Sequence, residues 1–196
     1  MTTQEFFAEL PNCNLCKEYV FAHKDPQARS EPVPAVGSFT SRIALIGRNP
    51  GRTEAHKGIP FCGAAGNKLD KTFAAVGLKR SDCYITNTVK CFTPSGVSPS
   101  ISCRRRCTGR WLDRELAQLQ NLELIIAFGN EALQYFEPEA IISQLHGTAF
   151  PIQHRKKVTL FVMFHPAACF YNPRIQARYD KDTAELKKLL KEMNLS

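Results

Sequence analysis

Residues 43–46 form a short apolar run that ends at Gly47, and the segment Gly47-Arg48-Asn49-Pro50-Gly51 that follows cannot extend it. Pro50 fixes its own φ and restricts Asn49, while glycine admits close approaches that a Cβ forbids. A brief apolar run stopped by a rigid turn is the pattern of a strand buried on both faces of a parallel sheet. The carboxyl end of such a strand is where α/β proteins place ligand chemistry. This turn carries neither the GxGxxG of a dinucleotide site nor the GK[ST] of a P-loop. Arg48, Asn49, Arg52 and Glu54 are held close to it, and the plainer alternative is a solvated strand-to-helix turn.

The rest of the chain repeats the unit. Strands are expected at 42–47, 83–89, 124–128 and 157–163. Helices are expected at 2–10 (stopped by Pro11), 67–76 (ended by Gly77), 102–119, 130–136, about 138–144 and 173–193. Residues 22–40, with Pro26, Pro32 and Pro34, and residues 92–100, with Pro94, Gly96 and Pro99, read as irregular. Alternating strands and helices predict an α/β fold, a single three-layer α/β/α domain over 1–196 with a mostly parallel four-stranded central sheet.

The 196 residues carry a formal charge of +8, which suits a polyanionic partner. Arg104, Arg105, Arg106 and Arg110 crowd one helix, where the bland reading is a solvated face. No run of 18 apolar residues spans a membrane and no secretion signal opens the chain, so a cytoplasmic, monomeric protein is expected. Eight cysteines in a chain of this length fit metal ligation better than a disulfide scaffold. Cys13 and Cys16 form a two-residue-spaced chelate, and Cys91 and Cys107 flank the irregular stretch before the arginines. Four thiolates suit zinc or a [4Fe–4S] cluster, Cys103 could replace Cys107, and unligated core cysteines are the alternative. Either centre would tie residues 1–40 to 91–107.

GRNPGRTEA at 47–55, GIPFCGAAG at 58–66, YITNTVKC at 84–91 and HPAA at 165–168 together resemble the uracil-DNA glycosylase superfamily, most closely its iron–sulfur branch. The resemblance covers residues 10–192. That branch has GEAPGxxED first, so Arg48 stands where it has an acid, Asn49 where it has alanine, and Ala55 where it has aspartate. GRNPG is more similar to the GINPG of mismatch- and hypoxanthine-directed branches. Phe92-Thr93-Pro94 replaces an R-P-P, and Cys103 occupies an acidic position.

The resemblance implies a [4Fe–4S] cluster on Cys13, Cys16, Cys91 and Cys107, with zinc as the alternative. It implies a DNA glycosylase that removes a flipped-out base, uracil first, from damaged DNA. Asn87 would read the base edge, with Phe61 stacking and Gly47 and Arg48 beside it; otherwise Asn87 caps a turn and Phe61 fills the core. His165 would donate to the departing base, or else serve as a turn residue. Asn49 would orient the water, with Glu54 as its substitute. Lys90, Arg104, Arg105 and Arg106 would hold phosphates. The competing functions are a glycosylase for hypoxanthine, xanthine, 5-substituted uracil or mismatched thymine, a cluster-bearing DNA-binding protein without turnover, and a ferredoxin-like carrier.

Overall fold

The computed structural model describes residues 1–16, 32–93, 97–153 and 157–195. Strands β1 (Ile43–Gly47), β2 (Cys83–Asn87), β3 (Leu124–Phe128), β4 (Ala149–Gln153) and β5 (Lys157–Met163) form one sheet in the order β2-β1-β3-β5-β4. All pairs are parallel except β4 with β5. The four expected strands are present, and β4 adds a fifth at the edge. Its sequence hid it: AFPIQ contains a proline and is half exposed, so it lacks the apolar run that marks the buried strands. The other edge is covered by residues 33–36, whose Val36 exchanges backbone hydrogen bonds with Ile85.

The helices are α1 (Thr3–Phe6), α2 (Arg52–Lys57), α3 (Ala64–Val76), α4 (Ile101–Cys107), α5 (Asp113–Gln118), α6 (Asn130–Phe136), α7 (Ile142–Leu145) and α8 (Pro173–Glu192). Alternation along the strands sorts the core into two layers. Ile43, Leu45, Ile126 and Phe161 pack against Leu69 and Phe73 of α3 and Leu186 and Leu190 of α8. Ala44, Ile46, Ile125 and Leu160 face Trp111, Leu112 and Leu116 together with Phe6, Phe7 and Leu10. The sheet is therefore covered on both sides, as a parallel sheet requires.

Three boundaries differ from expectation. The first helix ends at Phe6, and Pro11 lies inside a separate 3-10 turn at Leu10–Asn12 rather than stopping a longer helix. Pairing on β2 ends at Asn87, after which Thr88 and Val89 donate to the carbonyls of Gly47 and Arg48. The arginine helix is broken by a π-helical turn, Thr108–Leu112, between α4 and α5. Pro26, Pro94 and Gly96, read as loop residues, lie outside the described residues. Among the described residues no helix is long and apolar enough to cross a membrane.

Candidate active site

The carboxyl ends of β1, β2, β3 and β5 meet at one edge of the sheet, where a cleft of about 690 Å³ opens. Arg48, Asn49, Glu54, Phe61, Asn87 and His165 all line it. Six expected site residues are thus brought together from four separate stretches of chain.

Asn87 is placed by register, since it pairs with Gly47 across β1 and β2. It is 4% exposed, and among the described residues its carboxamide has no hydrogen-bond partner. A Cβ on Gly47 would stand 2.5 Å from Asn87 Oδ1 and 2.7 Å from the Phe61 ring. The expected place of Gly47 at the site is therefore one of clearance. Phe61 has a left-handed backbone (φ 51°), costly for a bulky residue. Arg80 Nη2 donates to its carbonyl at 2.6 Å, and Gly66 passes so close that a Cβ there would fall 1.8 Å from that oxygen. The held ring stacks on His165 with centroids 5.6 Å apart.

His165 follows β5 and precedes Pro166. Its Nδ1 accepts from the Ala167 N–H at 3.2 Å, which leaves Nε2 as the protonated nitrogen of a neutral ring. Burial, followed by the nearby Arg48 charge, lowers its pKa to about 4, against the opposing pull of Glu131. The site thus holds a neutral N–H donor.

Asn49 is fixed at both ends of its amide. Oδ1 accepts from Arg48 Nε at 2.8 Å, and Nδ2 donates to Thr93 Oγ1 at 3.0 Å and to the Pro50 carbonyl at 3.1 Å. One Oδ1 lone pair is left over by this count. Arg48 also reaches Ser98 Oγ at 3.1 Å and Glu131 at 3.3 Å, closing one side of the cleft. Glu54 is buried, and its Oε1 accepts from the Gly63 N–H at 2.8 Å. It fastens α2 to the start of α3 while still lining the cleft.

Lys90 requires a correction. Expected on a phosphate-facing surface, it is 1% exposed and its Nζ lies 2.5 Å from Glu115. Burial continues beyond the last paired residue of β2 through Thr88 and Val89, whose backbones bond to Gly47 and Arg48, and Lys90 follows them inside. Arg105 and Arg106 are exposed and Arg104 is half-buried, and none of the three lines the cleft.

Among the described residues no three His, Cys, Asp or Glu side chains are grouped to hold a metal ion. Cys13, Cys16, Cys91 and Cys107 nonetheless influence one another. Burial, with Cys107, Cys13 and Cys16 adding to it, pushes the Cys91 thiol up to about 12. Burial also raises Cys107, to about 11. Cys16 is drawn down to about 6, first by hydrogen bonding with Cys103 and then, against burial, by Arg106. Trp111 Nε1 donates to Cys13 Sγ at 3.4 Å and the Lys90 N–H to Cys107 Sγ at 3.3 Å. These are soft donors of the kind that hold zinc or iron–sulfur centres, and Cys16 Sγ lies 3.9 Å from the Cys103 carbonyl of α4.

Sequence reasoning missed several lining groups: Thr93, Phe128, Glu131 and Tyr171. Tyr171 is 87% exposed at the rim, beside the exposed Phe170. An aromatic pair, separated by three residues from the His165-Pro166 that follows a strand, was the available signal.

A family model for the uracil DNA glycosylase superfamily matches residues 34–194. A type-4 uracil-DNA glycosylase of Archaeoglobus fulgidus is 34% identical over 187 residues, covering 92% of this chain and 89% of the relative. One of Thermotoga maritima is 32% identical over 146 residues, 74% of each chain. A type-5 uracil-DNA glycosylase of Thermus thermophilus is 26% identical over 212 residues, covering 95% and 94%.

Proposed function

The chain belongs to the uracil DNA glycosylase superfamily, and from that premise we propose that it hydrolyses the N-glycosidic bond of a flipped-out deaminated base in DNA, uracil first, leaving an abasic site. The observation that carries the reading is the unpaired Asn87 carboxamide inside a cleft that also holds a neutral His165 and a stacked Phe61. One amide presents a donor to uracil O4 and an acceptor to N3–H. Phe61 supplies an apolar wall for the base. As the glycosidic bond breaks, negative charge moves onto the base, and the Nε2–H of His165 meets it at O2.

Asn49 cannot take a proton as a carboxylate does. Its remaining Oδ1 lone pair orients a water, which attacks C1′ after the bond to the base is largely broken. The water oxygen bonds to C1′ and its proton ends on the departing uracil. Arg104, Arg105 and Arg106 supply phosphate affinity without sequence reading, an affinity that weakens as salt rises. Cys13, Cys16, Cys91 and Cys107 would hold a [4Fe–4S] cluster. Bound there, it would cross-link the first sixteen residues to α4 and supply no proton or electron to the hydrolysis.

The deciding experiment presents labelled oligonucleotides carrying uracil, hypoxanthine, xanthine, 5-hydroxymethyluracil or mismatched thymine. Abasic sites should form on uracil. Arg48, standing where the related branch has an acid, is the reason for including the other bases. An uncut panel at enzyme excess, with DNA bound, would leave a binding protein without turnover. On uracil, Asn49→Asp should retain or raise cleavage and Asn49→Ala should depress it. Indifference to both would transfer the water to Glu54, and Glu54→Gln should then abolish turnover.

The cysteine reading has its own measurement. Protein purified without oxygen should be brown and carry about four irons per chain. Cys16→Ser or Cys91→Ser should release the iron and open the N-terminal segment to proteolysis while the sheet stays folded. One zinc per chain and no iron would overturn the cluster.

A further inference from the structure

Lys90 makes four directed contacts from a fully enclosed position. Its ammonium lies 2.5 Å from Glu115 Oε1 and donates to Thr86 Oγ1 at 2.6 Å and to the backbone oxygen of Asn87 at 2.8 Å. Its own backbone N–H donates to Cys107 Sγ at 3.3 Å. Glu115, 0% exposed on α5, accepts at Oε2 from the Thr86 hydroxyl at 2.7 Å and the Tyr84 hydroxyl at 3.2 Å.

A buried ion pair is a poor device for stability, because desolvation offsets its attraction and apolar replacements often serve as well. Its directed contacts are better explained by what they hold. Tyr84 and Thr86 lie on the face of β2 turned toward α5, so the carboxylate sets the distance between strand and helix. The ammonium then grips the peptide of Asn87, the last paired residue of β2. That residue carries the carboxamide, which has no hydrogen-bond partner of its own among the described residues and whose Oδ1 would stand 2.5 Å from a Cβ on Gly47. A small rotation at residue 87 would swing the amide out of line with a base edge.

We propose that Lys90 is a positioning residue for base recognition: its ammonium, set by Glu115, holds the Asn87 peptide so that the carboxamide meets the base, and its backbone N–H ties this clamp to Cys107. The inference rests on the glycosylase reading above. It gives the cysteine region a second consequence, since whatever holds Cys107 also bears on the alignment of Asn87.

The test is an epistasis experiment on the full chain. Lys90→Met alone leaves Glu115 charged and buried, and misfolding would mask the effect. The working variant is therefore Lys90→Met with Glu115→Gln, which removes both charges and keeps an acceptor for Tyr84 and Thr86. Single-turnover uracil release by this double variant should fall about 10-fold or more, since misplacement by about 1 Å can cost as much as 10²-fold. KM for the uracil oligonucleotide should move less than kcat. In an Asn87→Ala background the same pair of changes should cost less than about twofold, because the group being positioned is gone. Losses that multiply in the two backgrounds would mean general weakening of the fold and would overturn the inference. So would wild-type rates in the double variant when Asn87→Ala is impaired. If the wild-type chain releases no base, or Asn87→Ala releases it normally, the failure belongs to the glycosylase reading instead.

Discussion

Asn87→Ala should lower single-turnover release of uracil by about 10²-fold or more, because the base edge it pairs would be buried without partners. The loss should fall more heavily on uracil than on hypoxanthine, whose equivalent O6 and N1–H pair sits on a larger, two-ring base that fits a pyrimidine-sized site less closely. Binding of undamaged duplex should barely change, since phosphate contacts carry that affinity. Two features of the site set the size of this loss. Among the described residues the amide has no hydrogen-bond partner, so no such bond must be broken to use it. It is also 4% exposed, so water replaces it poorly once it is removed. A rate within threefold of wild type would remove Asn87 from base recognition.

His165→Ala should lower the chemical step by about 10²- to 10³-fold, the usual cost of losing one fixed donor to a developing oxyanion. Affinity for uracil-containing DNA should change little, because the donor matters chiefly after charge reaches the base. His165→Gln keeps an N–H and should recover part of the rate. The pH behaviour separates this role from a general acid. With a pKa near 4, set by burial and then by Arg48, the ring stays neutral through the neutral range. The rate should therefore show no inflection from His165 near its ordinary value of about 6.5. Stability carries the matching sign. The unfolded chain takes the proton at about 6.5 and the folded one near 4, so His165 contributes stability above about 6.5 that is lost as pH falls toward 4. Nuclear magnetic resonance of the imidazole and denaturant curves at several pH values would check both. An inflection near 6.5 that disappears in His165→Gln would return the ring to proton transfer.

The alternation of apolar runs and turns was enough to place four strands and two covering layers, because a parallel sheet demands continuous burial. β4 was not legible, since an edge strand with a proline and exposed faces carries no comparable signal. That Asn87 and His165 reach the cleft was readable because one ends β2 and the other lies two residues past β5, at the sheet edge where side chains converge in this architecture. The misplacement of Lys90 has a general cause. A charged residue in sequence points to solvent unless its partner is known, and Glu115 lies twenty-five positions away on another element. The hold of Thr93 on Asn49 was hidden for the same reason, since the two lie forty-four positions apart, whereas Arg48 is the neighbouring residue on the same turn.

The narrow space at Gly47 has a consequence for how such a pocket can change its base. Any side chain at residue 47 would have to displace both the Asn87 amide and the Phe61 ring. That position is closed to gradual adjustment. Residues 48 and 49, one step along the same turn, are half-buried at the cleft and held by side-chain contacts that can be exchanged one at a time. A single turn therefore divides into an immovable point and an adjustable one. Variation in substrate can enter through the second without dismantling the first, and arginine followed by asparagine is one such setting.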